Sequence, residues 1–345
     1  MTTKEKVLEI LKKNEGKSIS GQKLAEKCRI SRAAIWKAVK SLRDQGCNIQ
    51  GATNGGYLLL QNSDYFSNES LEFFLNEKYP EVKSNFIQCF NVIDSTNTYC
   101  KKVLSEAGNM RLPDGELTAQ GQKYHKAIIV AQEQTGGRGR FGRNFASPAK
   151  TGIYMTLIYT PKGGIVNPAK ITAFSAVAVC RAIKTLFNVE CKIKWINDIY
   201  LNGKKICGIL TEGFTNFETK SIESAIIGIG LNICDNPKIF EENTNAGSIT
   251  GENHQGKISR CQVAAEIAGQ CFKIFEENQE EVLKEYKNLS FLISQTVCVF
   301  PVIGDSKSSY FAKVINIDDN AGLVVELPDG SQKTLSSGEV SLHIQ

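Results

Sequence analysis

The sequence predicts an α+β protein of three modules in a row: a small basic helical module, a central mixed sheet covered by helices, and a small all-β module. Three observations carry this. A length of 345 residues suits two or three domains at about 100–200 residues each. The charge is lopsided: residues 1–62 hold twelve Lys and Arg against five Asp and Glu, a net +7, which leaves −2 for the rest of the chain. The hydrophobic periodicity also changes along the chain, from helical spacing to alternating strands and helices, then to short strands alone.

Composition narrows the class further. A hydrophobic fraction of 41% with 22% charged residues is too apolar for a disordered chain. The longest apolar run, Phe174 to Cys180, falls far short of the roughly 18 residues of a membrane helix. The start, MTTKEKVLEILKKNEGK, is charged and has no signal-peptide core, so a soluble cytoplasmic protein without membrane contact is expected. Eleven cysteines are scattered with no two closer than ten residues, and there are only three histidines. That spacing fits buried thiols in a reducing compartment and offers no zinc cluster.

In the first module Val7, Ile10 and Leu11 form one apolar stripe, and Leu24 lies on a short second helix after Ser20. Ser31 caps a third helix running to about Gln45, with Gly46 just past its end. On that helix Ile35, Ala38, Val39 and Leu42 share one face, while Arg32, Trp36, Lys40 and Arg43 line another with Lys37 beside them. CNIQGA, TNGG and YLLL follow as a hairpin with Asn54-Gly55 at its tip. Three helices and a hairpin make a winged helix-turn-helix. Its basic third helix suits a major groove, which makes Ser31, Arg32, Trp36, Lys37 and Lys40 the DNA-binding candidates. A solvated charged face on a protein-interaction domain is the alternative.

The expected boundaries are 1–62 for the winged helix-turn-helix, 63–82 for a polar joint around a short helix, 83–290 for the central domain and 291–345 for the last. In the central domain FIQCFNVID, AIIVAQEQ, TGIYMTLIY, CKIKWINDIYL, KKICGILTEG and ESAIIGIGLNIC read as strands. TNTYCKKVLSE, residues 168–187 and residues 260–289 read as helices. A polar insertion interrupts the region around 108–124.

Its first chemical signal is TGGRGRFGR at residues 135–143. Gly137 to Gly142 satisfies G-x-G-x-x-G, yet Pro148 interrupts where a helix should follow and no acidic residue stands about twenty residues on, so a dinucleotide site is excluded. What remains is a glycine-rich loop whose arginines clamp phosphate or carboxylate oxygens. GENHQGK at 251–257 imitates a P-loop but has Ile258 where a magnesium-holding hydroxyl belongs.

The second signal is the hairpin around Asn202-Gly203. A two-residue turn sets Leu201 opposite Lys204, Tyr200 opposite Lys205, Asp198 opposite Cys207 and Asn197 opposite Gly208. Lys194, Asp198, Tyr200 and Lys205 then share one face, with Trp195, Asn197 and Gly208 on the other. Asp198 and Lys205 become diagonal neighbours at roughly 7–8 Å. From Thr296 onward TVCVF, YFAKVINI, LVVEL, SQKTL and EVSLHI, joined by turns such as DDNAG and PDG, read as a small SH3-like barrel.

Taken in order, SRAAIWK, Ser95-Thr96-Asn97, QTGGRGRFGR, SPAKTGIYMTL, KWINDIYLNGKKICGIL, GIGLN and GEVSL resemble the biotin protein ligases, specifically the bifunctional type that is also the biotin operon repressor. The resemblance covers essentially the whole chain. It implies a central biotin/lipoate-ligase-like domain that makes biotinyl-5′-adenylate from biotin and ATP, then transfers biotin to a lysine of a biotin carboxyl carrier domain such as that of acetyl-CoA carboxylase. Magnesium would arrive on ATP and not on a cluster of protein ligands.

By the same resemblance Ser95, Thr96, Asn97, Gln134, Gly137, Arg138, Arg140, Lys205 and Gly208 would contact biotin. Arg138, Arg140, Arg143, Lys205, Gly228, Gly230 and Asn232 would contact ATP, with Lys205, Asp198 and Arg140 as the catalytic set. Operator DNA and a ligand-promoted homodimer are the implied partners. A biotin sensor without catalysis and a lipoate-protein ligase are the alternatives. Four positions depart from the family pattern: Ile196 for proline, Phe145 and Ser248 for tryptophans, and His343 for arginine.

Overall fold

The computed structural model describes residues 2–14, 17–44, 47, 49–52, 56–59, 66–216, 220–235, 245–251, 259–301 and 308–342. Asn54-Gly55, Gly46, residues 252–257 of the GENHQGK segment and His343 lie outside these.

Helices α1 (Thr3–Lys13), α2 (Gly21–Cys28) and α3 (Arg32–Asp44) form where their caps allow. Thr2 and Glu5 make a reciprocal capping box, Ser20 accepts from Lys23 N, and Ser31 Oγ accepts from Ala34 N at 3.2 Å. Ile35, Val39 and Leu42 of α3 pack with Val7, Leu11 and Leu24 into a core of their own. The wing pairs β1 (Ile49–Ala52) with β2 (Gly56–Leu59). Gly56 sits at φ +85°, and a Cβ there would stand 2.1 Å from the Ile19 carbonyl, so only glycine fits.

The segment read as a joint is more than a tether. Its helix α4 (Asn68–Lys78) contributes Leu71 and Leu75 to the main core, and Tyr79 and Val82 follow them in.

That core lies under a seven-stranded sheet. The strands are β3 (Ile87–Ile93), β4 (Ala127–Gln134), β5 (Gly152–Tyr159), β6 (Lys192–Lys194), β7 (Asp198–Leu201), β8 (Lys204–Thr215) and β9 (Ile222–Asn232), in the order β3-β4-β5-β9-β8-β7-β6. Only β3 and β4 run parallel; every other pair is antiparallel. Alternation sorts the side chains. Met155 and Leu157 of β5, Cys207 and Ile209 of β8, and Ile227, Ile229 and Leu231 of β9 face the main core with α7 (Pro168–Phe187). The other face is covered at one end by α5 (Thr96–Ala107), the insertion and α6 (Ala119–Tyr124), through Cys100, Leu104, Met110, Tyr124 and Ile226.

Two expected elements differ. The stretch read as one helix at 260–289 is two, α8 (Arg260–Ile274) and α9 (Gln279–Leu289), because Asn278 caps a new start by accepting from Glu280 N at 2.9 Å. CKIKWINDIYL is not one strand either. The chain reverses through Trp195-Ile196-Asn197, where the Trp195–Ile196 peptide is cis, so β6 and β7 pair with each other. Ile196 therefore sits at a full reversal, not in a strand straightened by the loss of proline.

Strands β10 (Thr296–Phe300), β11 (Tyr310–Ile317), β12 (Leu323–Glu326), β13 (Gln332–Leu335) and β14 (Glu339–Leu342) form an antiparallel sheet in the order β13-β12-β11-β10-β14. It joins the main core through Val297, Val314 and Leu323. The buried indole of Trp195 donates to the Ala321 carbonyl at 2.8 Å, fixing this sheet to the β6–β7 reversal. No helix among the described residues is long and apolar enough to cross a membrane.

Candidate active site

On the outward face of the sheet, glycines of β8 and β9 open part of the floor. Tyr154, Gly230 and Gly208 stand side by side across β5, β9 and β8, and Thr156, Gly228 and Leu210 make the next row. A Cβ on Gly230 would come within 2.5 Å of the Phe145 ring, and one on Gly228 within 2.3 Å of Asn97 Oδ1. Each glycine is thus an opening into which another element lowers a side chain.

Above this floor α5 presents its N-terminus. Ser95, 2% exposed, caps it by accepting from Thr98 N. The Thr96 N–H and hydroxyl both donate to Gln134 Oε1, at 2.9 and 3.1 Å, and Gln134 Nε2 donates to Ser147 Oγ at 2.9 Å. One helix end and one strand end are therefore locked together by the residues expected to meet biotin.

The glycine-rich loop folds back on itself as a flap. Gly139 N donates to Arg143 O at 2.7 Å and Phe145 N to Gly137 O at 2.9 Å. Phe141 and Gly142 turn its tip at φ +59° and +76°. Arg140 anchors the flap twice, donating to Asn197 Oδ1 at 2.8 Å and to the Gly338 carbonyl of the C-terminal sheet at 3.2 Å. Its guanidinium also stacks on Phe141, 4.7 Å from the ring centre.

The hairpin register departs from the expected one. Tyr200 opposes Lys205 and Leu201 opposes Lys204 as anticipated, but Asp198 opposes Gly208, not Cys207. A bulge leaves Ile206 as the extra residue, and Asn197 consequently bonds Ile209 through both backbone and side chain. Lys205 and Asp198 still meet as expected of neighbours on one face, Nζ lying 2.7 Å from Oδ1. Behind them burial pushes the Cys207 thiol well above its ordinary pKa, and burial raises Tyr286, whose hydroxyl donates to the Ile196 carbonyl. Tyr154 is pushed up to about 12 by burial, so it remains a phenol that donates to Pro148 O.

These parts enclose a cavity of about 620 Å³. It gathers Ser95, Thr96 and Asn97 of α5, Gln134, the flap's Gly137, Arg138, Arg140 and Arg143, and the hairpin's Asp198, Lys205 and Gly208. Gly228, Gly230 and Asn232 of β9 complete it. Every residue expected at the biotin and nucleotide sites lines this one space. Phe145, which stands for a tryptophan of the family pattern, lies across Gly230. Ser248 does not line the cavity and instead donates to Asp235 Oδ1 at 2.5 Å. Asn232 Nδ2 donates to the Gly247 carbonyl at 3.0 Å, tying the site to the segment beside Lys205. Among the described residues no three His, Cys, Asp or Glu side chains gather to hold a metal ion.

The motifs did not single out Asn197 as the flap's anchor, nor Thr156 or Glu212. The available signal was weak: Thr156 is a lone threonine on the fully buried β5, and Glu212 is one of several polar residues on β8.

On the N-terminal module Ser31, Arg32, Trp36, Lys37 and Lys40 are all exposed. Lys40 Nζ sits 5.6 Å from the centre of the Trp36 ring, which is 55% exposed. Arg43 turns away from that face, its Nε donating to the Ile49 carbonyl at the base of the wing.

Comparison with known proteins finds the same order of modules. Residues 89–232 match the biotin/lipoate A/B protein ligase family, and residues 3–58 match an HTH domain. The helix-turn-helix match thus lies ahead of the ligase-family match, in the order of the modules described above. More particularly, it is similar to the bifunctional ligase/repressor BirA of Bacillus subtilis (strain 168), at 29% identity over 97% of this chain and 98% of that protein. The BirA of Escherichia coli (strain K12) is 26% identical over 95% and 94%. A structure of biotin protein ligase from Aquifex aeolicus in complex with biotin and ATP shares the fold, with a TM-score of 0.56 at 23% identity over 75% of this chain and 99% of that one. The resemblance carried by the motifs thus extends over nearly the full length.

Proposed function

We propose that the chain is an ATP-dependent biotin protein ligase that also binds DNA as a repressor of biotin genes. The observation that carries this is the convergence of the α5 N-terminus, the arginine flap and the Lys205–Asp198 pair on one cavity. In the first step a biotin carboxylate oxygen attacks the α-phosphorus of ATP; the P–O bond to the β-phosphate breaks and pyrophosphate leaves. Two anions must meet, so Lys205 and the guanidinium groups of Arg138, Arg140 and Arg143 supply the opposing charge where it builds up. Magnesium carried on the nucleotide neutralises further phosphate charge. In the second step the amine of an acceptor lysine attacks the acyl carbon of biotinyl-5′-adenylate, AMP leaves and a proton is lost. Asp198 stands at the reacting centre to orient that amine and take the proton.

The acceptor in this reading is a biotin carboxyl carrier domain, and the setting is the cytoplasm. Adenylate binding promotes a homodimer that occupies a paired operator. Incorporation of labelled biotin into a purified acceptor domain, with ATP and magnesium and with lipoate in parallel, tests the ligase. Lys205→Ala is expected to lower adenylate formation at least tenfold, roughly 1.4 kcal/mol. Near-native rates in that variant would remove Lys205 from its role. Transfer of lipoate in place of biotin would remove the substrate assignment.

A further inference from the structure

The polar wall expected to meet biotin is itself held by two groups that do not line the cavity. Asn97, 5% exposed, donates from Nδ2 to Glu212 Oε2 at 2.9 Å, and its Oδ1 lies 2.6 Å from Thr156 Oγ1. Lys101 Nζ fixes Glu212 from the other side at 2.6 Å. Thr156 is fully buried in the middle of the sheet, and its hydroxyl also lies 2.7 Å from Thr96 Oγ1.

The chemistry of these contacts is directional. An ionised carboxylate only accepts hydrogen bonds, so Glu212 compels the amide NH₂ of Asn97 to face it. The amide oxygen must then face Thr156, whose hydroxyl has a hydrogen to give. Gly228 beneath leaves room for this arrangement, since a Cβ there would strike the same oxygen at 2.3 Å.

We propose, on the basis of the biotin-ligase reading, that Glu212 and Thr156 are positioning residues for biotin. They fix the orientation of Asn97, so that Ser95, Asn97 and Gln134 reach the cyclic urea of the substrate as one prearranged polar wall. Prearrangement of this kind strengthens ground-state binding of one substrate; its signature lies in KM for biotin, not in kcat or in KM for ATP.

The test is biotin-dependent ATP–pyrophosphate exchange with the full chain, alongside thermal melting. Thr156→Val, which keeps the shape and removes the hydroxyl, and Glu212→Ala are each expected to raise KM for biotin about tenfold. Turnover and KM for ATP are expected to stay within about twofold of wild type. Thr156→Ser and Glu212→Gln keep a hydroxyl and an acceptor and are expected to remain within about threefold of wild type. Lys101→Met, which leaves Asn97 its partner, is expected to change KM for biotin by less than about threefold.

An unaltered KM for biotin in folded Thr156→Val and Glu212→Ala overturns the proposal. So does an equal rise in KM for both substrates. Should Thr156→Val fail to fold, Glu212→Ala decides alone, because the Glu212 side chain is 26% exposed. A wild-type chain that forms no biotinyl-adenylate removes the ligase reading and this proposal together. An active wild type with indifferent variants removes this proposal only.

Discussion

At the scale of single residues the site is built as much from absent side chains as from present ones. Gly228 and Gly230 lie in extended strands where any residue fits the backbone; what they supply is space for Asn97 and Phe145. Gly228→Ala is therefore expected to push Asn97 aside and weaken biotin binding at least tenfold, a shift of about 1.4 kcal/mol. Titration calorimetry with biotin checks this, and native affinity would show that the close fit is dispensable. A second residue makes stability depend on pH. His125 is lowered to about 4, first by burial and then by Lys126, and its Nδ1 accepts the Thr160 N–H. An unfolded histidine titrates near 6.5. Between pH 6.5 and 4 the unfolded chain thus binds a proton that the folded chain refuses, so this contribution is complete above 6.5 and is lost as pH falls. His125→Asn keeps an acceptor without the titration. Its loss of melting temperature between pH 7.5 and 5 is expected to be smaller than that of wild type; an identical loss would refute the assignment. At this scale the sequence was most legible, because motif residues such as Ser95, Gln134 and Lys205 carry their chemistry with them. Thr156 and Glu212 were not legible, since their importance lies in neighbours that only the folded chain brings near.

Among elements, the flap and the β6–β7–β8 hairpins decide the geometry of the cavity. Arg140 bridges them to the C-terminal sheet with two differently directed bonds, a geometry that a planar guanidinium serves and an ammonium does not. Arg140→Lys is expected to loosen residues 138–144, seen as faster tryptic cleavage after Arg138 and Arg143, and to raise KM for ATP about tenfold. Unchanged cleavage would mean that the flap holds itself closed. The sequence located nearly every strand and helix by periodicity and caps, but it misread the hairpin. KIKWIND alternates like a continuous strand, and the reversal at Trp195-Ile196-Asn197 contains no glycine or proline to announce it. The bulge at Ile206 was equally hidden, because a register is a property of two strands and their buried faces. The helix α4 was taken for part of a joint because its flanks are polar, although Leu71 and Leu75 belong to the central core.

For the whole molecule, a hydrophobic core that the N-terminal module keeps to itself makes DNA binding and catalysis separable. The N-terminal core gathers residues from Val7 to Leu59, and the main core begins at Phe66. Replacing Arg32, Lys37 and Lys40 by alanine is expected to leave adenylate formation unchanged while weakening operator binding. The slope of log K against log salt should become less steep by about 0.9 for each phosphate that is no longer neutralised. Gel shifts across a salt series measure it, and an unchanged slope would place those three side chains away from the phosphates. The second anchor of Arg140 adds a constraint in time. Gly338 follows it by 198 residues. At about 5–20 residues per second, translation needs about 10–40 s to supply the partner once the arginine itself is made. A nascent chain on the ribosome thus has its helix-turn-helix module complete long before the flap can be fastened to the C-terminal sheet.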